Sequence, residues 1–186
     1  MSRWADDARE RLERAAIELF LERGFTATTV PEITARAGLT TRTFYRHFSD
    51  KREVLFGGGE IAAWAADMIA EAPASWAPMR IIAEGLAEVA ASRFEGRREE
   101  LRALREVVRS DDGLRERELR KWADLTEASR VAFVTRGIEP VRAALLAQVG
   151  IVMLRVSVED WLGRDDGRAL TAILRDAFTA LRDEFA

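Results

Sequence analysis

Within TVPEITARAGLTTRTFYRHF, residues 29–48, two short helical signals flank a turn. Thr29 followed by Glu32 forms a capping box, and Pro31 sits in the first turn, where its missing N–H has no helical partner to lose. Val30, Ile33 and Ala37 then share one face, and Gly38 is the natural stop. Thr40 is placed to cap a second helix beginning at Thr41. A short helix, a three-residue turn (Gly38, Leu39, Thr40) and a second short helix make the helix-turn-helix plan. At about 100° per residue, Phe44 and Phe48 fall on one face of the second helix and Arg42 and Arg46 on the opposite one. Thr43 and Tyr45 lie on the sides, with Thr41 and His47 nearer the apolar edge. The two phenylalanines can anchor inward while the other groups face out, which is how a helix enters a DNA major groove.

Charge supports this placement. The chain has 186 residues and a formal net charge of -3. Residues 1–52 nevertheless hold ten Lys+Arg against eight Asp+Glu, and residues 36–52 carry Arg36, Arg42, Arg46, Lys51 and Arg52 against Asp50 alone. A basic run by itself is commonly no more than a solvated face. On the outer side of a helix-turn-helix it has a use. Arginine can read guanine O6 and N7, threonine can offer a methyl to thymine or a hydroxyl to phosphate, and Tyr45 and His47 can donate to phosphate oxygens. Lys51 and the N–H groups that open the next helix are candidates for a further phosphate.

Working outward, Leu12, Ala15, Ala16, Leu19 and Phe20 trace the buried stripe of a first helix, and Gly24 is placed as its left-handed cap. Asp50 with Glu53 starts a fourth helix running toward Glu71. Further helical patterns cover residues 78–94, 98–109, 114–135, 140–162 and 168–185, separated by Asp111-Asp112-Gly113, Gly137 and the GRDDG at 163–167. The expectation is an all-α protein of about nine helices. It has a helix-turn-helix domain at 1–49 and a larger helical domain at 50–186.

Composition removes other classes. There is no cysteine and one histidine, so thiolate metal sites and cysteine nucleophiles are excluded and the lone histidine is already on the proposed DNA face. No phosphate-binding glycine motif occurs, and the Asp111-Asp112 and Asp165-Asp166 pairs suit helix capping. An enzyme, a metal and a cofactor are therefore not expected. The N-terminus is charged from the start, and the most apolar run, AALLAQVGIVML at 143–154, falls short of the ~18–20 residues that cross a bilayer. A soluble cytoplasmic protein without a membrane partner is the expectation.

Residues 15–55 also resemble the DNA-binding domain of the TetR family of transcriptional regulators. The resemblance rests on Leu19-Phe20, Gly24-Phe25, Thr28-Thr29-Val30, Ile33, Ala37-Gly38, the run Thr43 to Phe48, and Lys51. It implies phosphate contacts from Thr40, Tyr45, His47 and Lys51 and base contacts from Thr41, Arg42 and Thr43, with Thr29 and Arg46 as additional candidates. Pro31 stands where relatives often carry a polar side chain, and no contact is assigned to it. The family further implies a homodimer through the last two helices, with Phe178 as the probe of that interface, and a palindromic operator. A ligand cavity is implied around Trp64, Met68, Phe94, Leu104, Val108, Trp122, Leu125 and Phe133. Taken singly, each of those eight residues is better read as ordinary core; as a group they imply that a ligand, if present, is a small apolar or amphipathic one. The functional reading is a repressor released by such a ligand, and the alternative is a helical adaptor that does not bind DNA. Gly57-Gly58-Gly59 is either a hinge between reader and cavity or a site of close packing, since three glycines weaken a helix by ~3 kcal/mol.

Overall fold

The computed structural model describes residues 3–56 and 60–184, with side chains described for 7–56 and 61–184. Among these residues there is no strand. The helices are α1 (Arg3–Arg23), α2 (Val30–Ala37), α3 (Thr41–His47), α4 (Glu53–Phe56), α5 (Glu60–Glu71), α6 (Pro78–Val89), α7 (Arg98–Arg109), α8 (Asp112–Thr135), α9 (Pro140–Gly163) and α10 (Leu170–Asp183), and α6 continues into a π-helical turn at Ala90–Phe94. The all-α expectation is met. The stretch expected as one helix from Asp50 to Glu71 is described as α4 and α5. Gly57 to Gly59 and Phe185 lie outside the described residues.

The chain groups into two compact units, one formed by 1–58 with 102–121 and the other by 59–101 with 122–186. The sequence-based boundary at 49/50 differs from this division over 50–58 and 102–121. Packing gives the reason. Val54 and Phe56 of α4 are buried in the same cluster as Leu12, Leu19, Phe20, Ile33, Phe44 and Phe48, and so is Leu114 of α8, with Val107 and Val108 against it. Side chains so thoroughly excluded from water hold their backbone to the first unit, each contributing roughly 1.5–3 kcal/mol of burial.

In the second unit α6, α9 and α10 pack on one another and α5 packs on α6. Glu139 caps α9, accepting from Val141 N and Arg142 N at 3.0 Å each, with Pro140 in the first turn. At its other end the Arg98 guanidinium donates to the carbonyls of Trp161, at 2.6 Å, and Arg164. Arg136 does the same for the end of α5, donating to the carbonyls of Ile69, Ala70 and Ala72 at 3.0, 3.0 and 2.7 Å. Both arginines satisfy carbonyls that a helix end leaves without partners.

Helix α9 corrects one sequence-based expectation. Its 24 residues are long and apolar enough by composition to cross a membrane, with a mean hydropathy of 1.7 over the most apolar stretch. The run 143–154 underestimated it because Val141, Val156, Val158, Trp161 and Leu162 extend the apolar surface. Ten of its residues, from Ala143 to Leu162, are buried within the unit. Left outside are Val141, Leu145, Val152 and Val156, exposed by 66, 62, 50 and 60%. Phe178 of α10 is instead half-buried against the cluster of Ile69, Ile81, Phe133 and Leu146.

Candidate nucleic-acid interface and ligand cavity

The turn between α2 and α3 is built from the residues that its sequence suggests. Gly38 takes φ 64°, and its N–H and that of Leu39 return to the carbonyls of Ala35 at 3.1 Å and Thr34 at 2.8 Å. A side chain there would meet left-handed strain, and an added Cβ would also lie 3.1 Å from Arg11 Nη2. Arg11 in turn donates to the Ala37 carbonyl at 2.6 Å, tying the end of α2 to α1. Thr40 Oγ1 accepts from Thr43 N at 3.2 Å and so caps α3.

Helix α3 is held by Phe44 and Phe48, which are fully buried with ring centroids 5.3 Å apart. The Arg9 guanidinium lies 4.9 Å from the Phe48 ring centroid. The other face carries Thr40, Thr41, Arg42, Tyr45 and Arg46, all exposed, with Thr43 and His47 half-buried at its margins. Tyr45 stands edge-on to Phe44 at 5.4 Å, so the core fixes its ring while most of the residue faces solvent. Arg46 Nη2 is 3.4 Å from His47 Nε2. Thr29 is exposed at the start of α2, its N–H and hydroxyl both donating to Glu32 Oε2 at 2.8 and 2.7 Å. The Thr29 hydroxyl holds the Glu32 carboxyl below its ordinary range.

Lys51 is engaged in a way that spacing does not reveal. Its ammonium donates to the carbonyls of Phe25 and Thr28, both at 2.8 Å, and lies 4.2 Å from the Phe25 ring centroid. Burial lowers its pKa below 10.5. The buried Thr28 hydroxyl closes the same loop, donating to Gly24 O at 2.9 Å. Lys51 is thus a staple across the α1–α2 loop, with one of its three N–H groups outside these two bonds.

Two expectations about the basic run are corrected. Arg36 is drawn off by acids of α1, meeting Glu22 through both terminal nitrogens at 2.8 Å and Glu18 at 3.3 Å, so its charge is offset locally. The N–H groups opening α4 are also occupied: Asp50 Oδ1 accepts from Arg52 N at 2.7 Å and Glu53 N at 3.1 Å. A carboxylate seated there repels a phosphate.

In the second unit an apolar cavity of about 70 Å³ opens between α5, α6, α8 and α9. Trp64, Met68, Leu125 and Phe133 line it, with Ile82, Gly85, Leu146 and Gly150 among the others. Its polar side chain is Ser129, whose hydroxyl donates to Leu125 O at 2.9 Å. The other four ligand candidates are elsewhere. Phe94 packs edge-on against Trp161 at 6.4 Å, Trp122 packs against the cluster of Ala65, Leu125 and Ile151, and Leu104 and Val108 belong to the first unit.

Residues 13–56, which span α2, α3 and their support, match the family model for bacterial regulatory proteins, tetR family. The chain carries a TetR-family domain. The regulator TcmR of Streptomyces glaucescens is 48% identical over 46 residues, 25% of this chain and 20% of TcmR. The chain spans about a fifth of the length of the curated relatives it matches, 19 and 20% for the first two. Solved structures extend the likeness in fold. NalD of Pseudomonas aeruginosa, a secondary repressor of a multidrug efflux pump, aligns with TM-score 0.63 at 19% identity over 94% of this chain and 96% of its own. The regulator FadR of Bacillus subtilis in complex with stearoyl-CoA aligns with TM-score 0.59 at 18% identity, covering 92 and 96%.

The TetR-type domain also depends on residues that sequence reading passed over. Arg9 and Arg11 carry no local signal, being two charges on an amphipathic helix. Leu114 lies far along the chain, at the start of α8. Each is found only through what it touches.

Proposed function

We propose that the protein is a homodimeric, ligand-responsive DNA-binding regulator that acts as a repressor. The carrying observation is α3 itself. Its apolar edge is sealed by Phe44 and Phe48, and Arg42, Tyr45, Arg46 and three threonines stand around the rest, in a domain of TetR type. Arg42 and Arg46 enter the groove toward base edges, Thr41 and Thr43 flank them, and Thr40, Tyr45, His47 and the remaining Lys51 donor hold phosphates. Thr29 adds a contact at the start of α2.

The second copy seats on α9. Val141, Leu145, Val152 and Val156 recur at intervals of four, seven and four residues, giving one apolar stripe exposed by half or more. A two-fold axis through that stripe makes it self-complementary, and α10 flanks it. Two α3 helices so related read a palindrome with half-sites about 34–36 Å apart. The apolar cavity receives the effector, whose binding lowers operator affinity. NalD's role as a secondary repressor and FadR's complex with stearoyl-CoA support a repressor that responds to a small molecule.

Selection of bound sequences from random DNA with the purified protein tests the reading. Recovery of a palindrome is expected, with affinity falling steeply in salt at a logarithmic slope of about -0.9 per neutralised phosphate. Recovery of no preferred sequence, with no salt slope, would support the adaptor instead.

A further inference from the structure

The cavity is too small for a ligand as it stands. A dry cavity of about 150 Å³ accommodates benzene, and this one measures about 70 Å³. An effector must therefore displace something that already fills the space.

Four observations identify what moves. Met68 of α5 lies directly over Gly85 of α6. A methyl group added at Gly85 would meet Met68 Sδ at 2.7 Å and Cε nearer still, inside the 3.0 Å limit of real contacts. Met68 is half-buried, so it reaches from the cavity lining to the surface. It is unbranched and flexible, the kind of side chain that fills an irregular gap and leaves it at low cost. On the opposite side the walls are fixed: an added Cβ at Gly150 of α9 would lie 3.3 Å from Ile82 Cγ2, so α6 and α9 are already in close approach there.

The lining also constrains the charge of the ligand. Its residues are apolar except for the Ser129 hydroxyl, which is committed to Leu125 O, and the indole N–H of Trp64. A carboxylate or phosphate inside would be desolvated without a charged partner. Arg93, with its guanidinium 6.0 Å from the Trp64 ring centroid, is exposed to solvent rather than part of the lining.

Resting on the ligand-responsive reading above, we infer that Met68 is a displaceable plug seated in the Gly85 notch, and that the effector is a neutral apolar molecule of one or two rings rather than an anionic acyl compound. The notch makes the plug specific. With glycine at 85 the thioether parks against α6 backbone and can swing outward; with any larger residue it is pushed into the cavity.

Calorimetric titration of the full chain with naphthalene and with decanoate tests the inference. Wild type is expected to bind naphthalene at least tenfold more tightly than decanoate. Met68→Ala should tighten naphthalene about tenfold by removing the plug, and Gly85→Ala should weaken it about tenfold. Should Gly85→Ala fail to fold by circular dichroism, Met68→Leu, equal in bulk but branched and stiffer, replaces it with the same expected weakening. Naphthalene affinity unchanged within twofold in Met68→Ala, or decanoate binding as tightly as naphthalene, overturns the inference. Operator affinity measured by anisotropy on the same preparations separates the two readings. Loss of all DNA binding with the naphthalene pattern intact overturns the regulator and leaves the plug, and the converse result overturns the plug alone.

Discussion

Lys51→Met separates a structural lysine from a phosphate contact. The substitution keeps the aliphatic stem against Phe25 and removes the ammonium that bonds the Phe25 and Thr28 carbonyls at 2.8 Å. Hydrogen bonds to a charged group contribute about 1.5–3 kcal/mol each, which sets an upper range of roughly 3–6 kcal/mol for the pair. Two effects reduce it. The site is half-exposed, so water can reach the released carbonyls, and the wild-type ammonium is itself disfavoured by burial, as its lowered pKa records. A net loss of about 2 kcal/mol remains. For a chain of this length, 1 kcal/mol moves Tm by roughly 2–4 °C, so the variant should melt about 4–8 °C lower. Urea unfolding should show a lower midpoint with an unchanged slope. If the third N–H meets a phosphate, the salt dependence of DNA binding also flattens by ~0.9. A melting temperature within about 1 °C of wild type would refute the staple, whatever happened to DNA affinity.

Other substitutions address separate parts of the molecule. Arg42→Ala, on the exposed side of α3, should lower discrimination at one operator position by about 1–3 kcal/mol while sparing stability, as read by competition between operator variants. Leu145→Asp places a charge in the exposed stripe of α9 and should convert the dimer to monomer in sedimentation and abolish tight operator binding; an unchanged sedimentation coefficient would refute the assigned interface. Glu32 has a folded pKa below its ordinary 4.5, through the Thr29 hydroxyl first and the Thr29 N–H second. Its contribution is therefore present above pH 4.5 and is lost as pH falls through the folded value. Glu32→Gln should accordingly show a shallower loss of stability between about pH 5 and pH 3, followed by circular dichroism.

What the residues determined on their own is local. The buried stripe of α1, the Thr29–Glu32 pair, the Gly38 stop, the Thr40 cap and the inward turn of Phe44 and Phe48 all follow from groups within four or five positions of one another, where helical periodicity fixes who meets whom. Half of the ligand candidates, Trp64, Met68, Leu125 and Phe133, do line the cavity, but the same apolar pattern placed Leu104 and Val108 there although they belong to the first unit. Periodicity says that a face is buried without saying against which helix. Tertiary structure alone assigned Lys51 to carbonyls 26 and 23 positions away and Arg36 to carboxylates 14 and 18 positions away. It also set Met68 on Gly85 and left the α9 stripe uncovered. Those outcomes depend on how rigid helices stack, and a cation or a thioether takes whatever partner that stacking brings within 3–4 Å.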